Sequence, residues 1–228
     1  MRPEASSRSC SRSIARRSGS APQQSNGIIA AAAAAARLLR LTPDQTEAAL
    51  NNAVSLSGGL LQSFVEGTDE WRYQVGTTAH LGWTATELAR AGSTSARSAF
   101  EGTKGLAAAF ARSEIDVARL ASGFGHNWQT LRVAFKPFPV CAFNQTPVTA
   151  ALELRKKIDV TRIESVAIHM NPYECGYAGM DVRGPFHSIS GTLMSIPFCI
   201  AQALLRGAPT MTSMTTYDDA DVNALESR

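Results

Sequence analysis

Apolar residues recur at the three- and four-residue spacing of helices from residue 28 to about residue 112. Residues 28–41 are almost entirely Ala, Leu and Ile, which predicts a helix that is buried on most sides. Two further long helices are predicted, one after Thr42 and one over residues 76–91 that ends before Gly92. Shorter helices are predicted near Ser95 and over residues 105–112. The first part of the chain is therefore predicted to be all-helical.

The start of the second helix carries the clearest local signal. Thr42 is a suitable N-cap, Pro43 suits the first helical position, and Gln45 stands three residues after the cap. That arrangement predicts a capping box, in which the side chains of Thr42 and Gln45 each accept a hydrogen bond from the other residue's backbone.

The pattern changes after about residue 125. A short apolar run predicts a strand over residues 131–135, and the β-branched alternation of residues 163–170 predicts a second one. Helices are predicted after Pro147 and from Ser195 to Leu205. A strand, helix, strand and helix after an all-helical half indicate an α+β protein with a smaller α/β domain and a short antiparallel sheet.

Four segments follow from these patterns: a leader over residues 1–26, a helical domain over 27–125, an α/β domain over 126–215, and a tail over 216–228. The leader is rich in Arg and Ser and poor in acidic residues, and no regular structure is predicted for it. Such a composition fits an organellar transit peptide, or an unrelated start on a truncated reading frame. The second reading is preferred, because the leader lacks an amphipathic stripe and joins the next helix without a linker.

Composition narrows the class of protein. The net charge of +3 comes largely from arginines in the first seventeen residues, so no basic face for nucleic acid is expected. Four scattered cysteines show no zinc or iron–sulfur spacing, which favours reduced thiols in a cytosolic protein. No apolar run is long enough to span a membrane. We expect a cytoplasmic protein, or a mitochondrial one if the leader is a transit peptide.

Lys136 is the most informative candidate for chemistry. It lies between an apolar run and two prolines, Pro137 and Pro139, which restrict the backbone on which the ammonium is carried. A lysine on a stiff connection suits an anionic ligand, although most lysines in turns are simply solvated.

Several segments, taken in order, resemble the MmgE/PrpD family. This family includes 2-methylcitrate dehydratases, cis-aconitate decarboxylases and some epimerases of small dicarboxylates. The similar segments cover about residues 27–220 and are Ala30–Leu39, Ala53–Gly59, Arg72–Gly82, Ala99–Gly105, Phe135–Pro139 and Ser195–Gly207.

The resemblance implies a large helical domain and a smaller α/β domain, with an active site in the cleft between them. It also implies a homodimer, a small carboxylate substrate, a place in propionate metabolism, and no cofactor or metal. Family members are roughly twice as long as this chain, so the resemblance is to a fragment that lacks several of the family's site residues.

Carried onto this sequence, the resemblance assigns catalytic roles to two cations. Lys136 matches the lysine of the family's F-K-x-F/Y-P motif. Arg72 lies in a run where the family has a lysine and a histidine, but here those positions hold Trp71 and Gln74. Arg72 could replace the missing cation, or it could stack on Trp71 at the surface.

Three further residues are predicted to bind substrate. Tyr173 and Tyr177 lie where the family often has a tyrosine beside the substrate, although the register does not distinguish them. His187 lies in a loop and is a candidate for the cleft.

The predicted activity is elimination of water from a small hydroxy-di- or tricarboxylate. That reaction needs a base for the proton α to a carboxylate, an acid for the leaving hydroxyl, and cations for the negative charge. The alternatives are an isomerase, epimerase or decarboxylase on the same scaffold, and a truncated remnant without activity.

Overall fold

The computed structural model of the chain describes residues 22–112, 114 and 116–228. These residues form two compact units. Unit A comprises residues 22–60 and 70–133, and unit B comprises residues 61–69 and 134–228. The α-helices of unit A are α1 Pro22–Leu38, α2 Pro43–Ser55, α4 Glu70–Arg90 and α5 Val117–Ala121, and a π-helix over Ala107–Ala111 lies where a helix was predicted over residues 105–112. Those of unit B are α3 Gln62–Glu66, α6 Gln145–Leu154, α7 Pro172–Cys175, α8 Ile189–Met194, α9 Ile196–Leu205, α10 Met211–Met214 and α11 Ala220–Glu226.

Unit A is built around α1, α2 and α4, which pack against one another. Ile28, Ala32, Ala53 and Ala85 form its buried centre. The small side chains let the helix axes approach closely, and Gly82 shows how closely. A Cβ atom built on Gly82 would lie 2.5 Å from Ala31 Cβ and 2.7 Å from the Ile28 carbonyl oxygen.

The predicted capping box at the start of α2 is confirmed. The Gln45 backbone N–H donates to Thr42 Oγ1 at 3.2 Å, and the Thr42 backbone N–H donates to Gln45 Oε1 at 3.1 Å. The predicted break before Gly92 is also confirmed, since α4 ends at Arg90 and Gly92 has a φ of +91°. The helix α4 begins six residues earlier than predicted, at Glu70. No helix forms near Ser95 in the described chain, where residues 97–101 make turns.

Unit B surrounds the apolar helix α9. Eight of its residues are buried, which is the pattern of a helix that is hydrophobic on all sides. The helices α6, α8 and α11 pack against it. Pro197 opens the helix as predicted, and the chain leaves it through Gly207 at a φ of +99°.

The predicted short antiparallel sheet is wrong, because the described residues contain no strand. Gln129–Arg132 forms a 3₁₀ turn where the first strand was expected. Residues 163–170 are irregular, and residues 164–170 take part in none of the backbone–backbone hydrogen bonds of the described chain. Alternation of side chains is consistent with a strand, but a strand also requires a hydrogen-bonding partner.

The ends of the chain were predicted as a leader and a tail. Residues 1–21 of the leader lie outside the described residues. Residues 216–228 contain α11, whose Val222 and Leu225 are buried in the core of unit B. Among the described residues, no helix is long and apolar enough to cross a lipid bilayer.

Candidate functional site

Lys136 lies on an exposed connection that leads into the core of unit B. Its Nζ donates a hydrogen bond to the Val140 carbonyl oxygen at 3.1 Å. Val140 itself is only 1% exposed, so the carbonyl that receives the ammonium is anchored through a buried side chain. An ammonium has three N–H donors, and this contact uses one of them.

Gln145, the first residue of α6, forms hydrogen bonds with the backbone of the same connection. Its Oε1 accepts from the Phe138 backbone N–H at 3.2 Å, and its Nε2 donates to the Phe138 carbonyl at 3.0 Å. Nε2 also lies 3.0 Å from the Val140 carbonyl and 3.3 Å from the Cys141 carbonyl. The carboxamide therefore binds the backbone at three positions of the segment that follows Lys136.

Cys141 ends this segment and begins the 3₁₀ turn Ala142–Asn144. Its backbone N–H donates to the Leu193 carbonyl at 2.9 Å, which ties the segment to α8. Burial raises the pKa of the Cys141 thiol, and the Phe143 backbone N–H and the Lys136 charge oppose that change only in part. Cys141 is therefore a neutral thiol at neutral pH.

Behind Cys141, polar groups are buried between α6, α8 and α9. Asn144 Nδ2 donates to the Leu193 and Met194 carbonyls at 3.1 and 3.0 Å and lies 3.5 Å from Cys199 Sγ. Burial is the main cause that raises the pKa of the Cys199 thiol. Asn144 and Cys199 therefore stabilise the wall of the site and are closed to solvent.

Three aromatic rings lie beside the start of α6. The Phe143 and Tyr177 ring centroids are 5.2 Å apart in an edge-to-face arrangement, and the Tyr173 centroid lies 6.1 Å from Phe143. Tyr173 is 55% exposed. Sequence analysis did not distinguish Tyr173 from Tyr177, and it did not select Phe143. In the structure both tyrosine rings contact Phe143.

An open cavity of about 460 Å³ lies farther along α6, within unit B. Its walls are mainly apolar, with Leu154, Ile168 and Ile200 among them, and His169 and Glu174 lie at its polar edge. Glu174 is adjacent to Tyr173 in the chain, so the cavity begins near the aromatic rings.

The structure leaves the predicted role of His187 untested. The residue is exposed and stands between the buried Phe186 and Ser188, the N-cap of α8. The Ser188 hydroxyl also donates a short hydrogen bond to the Gly67 carbonyl. His187 thus lies on a well-fixed loop of unit B.

Arg72 lies in the first turns of α4, in unit A, whereas Lys136, Tyr173, Tyr177 and His187 lie in unit B. Its guanidinium carbon is 5.6 Å from the centroid of the Trp71 ring. That distance fits the cation–π stack considered as an alternative to substrate binding. Gln74, for which the sequence resemblance predicted a histidine position, donates from Nε2 to the Leu60 carbonyl at 3.2 Å.

Metal ligands do not cluster in the part of the chain that the structure describes: no three His, Cys, Asp or Glu side chains could hold an ion together. The polar groups of this part of unit B are the Lys136 ammonium, the Gln145 carboxamide, the neutral Cys141 thiol and, beside Phe143, the phenols of Tyr173 and Tyr177. Such groups can bind an anion and exchange protons.

Two family models match the chain. The model of the MmgE/PrpD N-terminal domain matches residues 5–117, and the model of the C-terminal domain matches residues 138–228. The chain belongs to the MmgE/PrpD family. The N-terminal match begins within the Arg- and Ser-rich segment that was predicted as a leader. A search of curated proteins finds no significant match.

The segment after Lys136 belongs to the C-terminal domain of the MmgE/PrpD family. The C-terminal match starts at residue 138, so Phe138, Cys141 and Gln145 fall within the family's C-terminal domain, directly after the lysine. The irregular segment 163–170, where a strand was predicted, lies within the same match.

Proposed function

We propose that this MmgE/PrpD protein is a lyase of the 2-methylcitrate dehydratase type, which eliminates water from a small hydroxy-di- or tricarboxylate. The observation that carries the proposal is the setting of Lys136. Its ammonium is exposed, contacts a fixed carbonyl, and keeps N–H donors for an incoming carboxylate. Tyr173, an exposed residue of the same unit, supplies a hydroxyl group.

In the proposed reaction, Lys136 binds a substrate carboxylate and stabilises the negative charge that develops when the neighbouring proton is removed. The Tyr173 and Tyr177 hydroxyls orient the substrate through hydrogen bonds, and Phe143 provides an apolar wall. Arg72 and His187 remain predicted contacts. A homodimer is part of the proposal, as in the family.

One observation favours an isomerase or epimerase as the second candidate. Dehydration needs an acid that protonates the leaving hydroxyl, and the family's histidine position holds Gln74, whose amide donates to a backbone carbonyl. Epimerisation removes and returns a single proton and breaks no carbon–oxygen bond, so it does not need that acid.

The test is an assay by NMR of 2-methylcitrate, citrate and cis-aconitate with the purified chain. A product that has lost water or carbon dioxide reports elimination or decarboxylation, and a stereoisomer formed with exchange of the α proton for deuterium reports an isomerase or epimerase. Lys136→Ala is expected to lower kcat/KM by about 10- to 100-fold, the effect of losing a hydrogen bond between charged groups. Lys157→Ala, an exposed lysine of the same unit, serves as the matched control.

Two results would contradict the proposal. Turnover that is the same in Lys136→Ala and in the wild-type chain would remove Lys136 from the site. Absence of both turnover and exchange with all three carboxylates would favour a remnant without activity.

A further inference from the structure

The segment that carries Lys136 is fixed at two ends by different means. At its far end, Val140 is buried and the Cys141 backbone N–H donates to the Leu193 carbonyl at 2.9 Å. At its near end, Phe138 follows Lys136 by two residues, between two prolines. Both backbone hydrogen-bonding groups of Phe138 are bound by the Gln145 carboxamide, at 3.2 and 3.0 Å.

Gln145 and Lys136 also share an acceptor. The Val140 carbonyl receives Gln145 Nε2 at 3.0 Å and Lys136 Nζ at 3.1 Å. A carbonyl oxygen has two lone pairs, so it can accept both donors at once. The carboxamide therefore holds the near end of the segment and also fixes the carbonyl on which the ammonium rests.

We propose that Gln145 is the positioning residue of Lys136: its carboxamide clamps Phe138 and Val140 so that the ammonium is held ready for a carboxylate. The proposal rests on the proposed function of Lys136 as a carboxylate-binding residue. Gln145 touches no substrate in this account and acts through the lysine.

The side-chain chemistry of glutamine explains why another residue would not serve. The clamp needs one acceptor for the Phe138 N–H and two donors shared among three carbonyls. Glutamate keeps the acceptor but replaces the donors by an oxygen that repels the carbonyls. Alanine removes both functions.

Lys136 can be observed without any enzymatic turnover, through its rate of acylation by a small amine reagent. Mass spectrometry gives that rate relative to Lys104, an exposed lysine of unit A in the same molecule. A docked ammonium reacts slowly, because its hydrogen bond to the Val140 carbonyl must break before the nitrogen can reach the reagent. Gln145→Ala is expected to raise the Lys136-to-Lys104 ratio by up to about tenfold, the scale of one hydrogen bond to a charged group.

Gln145→Leu, which keeps the bulk of the side chain without its donors and acceptor, is expected to raise the same ratio, and Glu153→Ala is the control. Glu153 is exposed on the same helix and bonds Lys156 at 2.7 Å, so its loss should leave the ratio unchanged. Hydrogen exchange at the Phe138 amide provides the structural readout and should speed up in both Gln145 variants. In an active preparation, KM for the carboxylate should rise more than kcat falls.

An unchanged acylation ratio in a folded Gln145→Ala variant would overturn the proposal, even if Phe138 exchange speeds up, because the clamp would then be structural only. If neither variant folds, the wild-type Phe138 amide decides: protection from exchange supports the clamp, and free exchange overturns it. A raised ratio without any turnover would keep the clamp and refute the proposed function. Turnover that depends on Lys136, together with an unchanged acylation ratio in Gln145→Ala, would keep the proposed function and refute the clamp.

Discussion

Two glycines of the helix α4 should respond in opposite ways to the same substitution. Gly82 faces α1, and a Cβ atom added there would meet Ala31 Cβ at 2.5 Å, the Ile28 carbonyl oxygen at 2.7 Å and the Ala32 backbone nitrogen at 2.8 Å. Gly76 lies on the same helix with nothing within 4 Å of its added Cβ. The pair therefore separates helix propensity from packing.

The magnitudes follow from these distances. Alanine in place of glycine stabilises a helix interior by about 0.5–1 kcal/mol, and Gly76→Ala should gain that amount. At Gly82 the carbon–carbon contact is short by about 1 Å of a normal 3.5–4.0 Å separation. Two of the three contacts are with backbone, so α1 would have to shift although Ile28 and Ala32 are fully buried. Overpacking of this kind costs about 1–3 kcal/mol, and after the same propensity gain we expect Gly82→Ala to lose about 1 kcal/mol net.

The assay is urea unfolding followed by far-UV circular dichroism and tryptophan fluorescence, with Trp83 next to the substituted position in α4. The propensity gain is common to both variants, so they should differ by the overpacking cost of about 2 kcal/mol, which corresponds to about 4–8 °C in Tm for a chain of this size. Gly82→Ala as stable as Gly76→Ala would refute the close packing of α1 on α4.

Three more predictions concern a cap, a buried carboxyl group and the second cation. Thr42→Ala removes the N-cap of α2 and should lower the unfolding free energy by about 1 kcal/mol, measured as a lower urea midpoint with an unchanged slope. Burial raises the pKa of Glu226, which accepts from the Gly184 N–H at 2.6 Å. Its stabilising contribution is therefore complete below its unfolded pKa and decreases as pH rises through the raised folded pKa. As pH rises above the unfolded pKa of about 4.3, the wild type should lose stability relative to Glu226→Gln, and parallel pH profiles would contradict this. Arg72→Ala should lower kcat/KM by about tenfold if the guanidinium binds substrate, whereas unchanged kinetics would leave it as a stack on Trp71.

Local signals in the sequence predicted local structure well. Thr42, Pro43 and Gln45 lie within one turn, and the capping box they indicate needs nothing from the rest of the chain. The same holds for Pro197 at the start of α9. These features depend on side chains that contact their own backbone neighbours.

The strand predicted over residues 163–170 does not form, because a strand depends on a partner elsewhere in the chain and not on its own neighbours. Its alternating β-branched residues describe which sides of a segment are apolar, and they carry no information on whether a second strand lies alongside. In the described residues that partner is absent, so the segment forms no ladder.

The candidate site was predicted in part. Lys136 was selected from its prolines and its family motif, but its contact with Val140 depends on a reversal of the chain that a pattern does not show. Gln145 was not selected from the sequence, although it bonds three backbone positions between four and seven residues before it. The sequence did not show which of Tyr173 and Tyr177 lies near the candidate site. In the structure both rings contact Phe143.

The most direct test of the central claim asks whether a carboxylate substrate covers Lys136. The acylation rate of Lys136 is measured with increasing 2-methylcitrate, with Lys157 as the internal reference and triethyl citrate, which carries no carboxylate charge, as the control ligand. We predict saturable protection of Lys136 by 2-methylcitrate, no protection of Lys157, and no protection by the ester. Equal acylation of Lys136 with and without 2-methylcitrate would contradict the account.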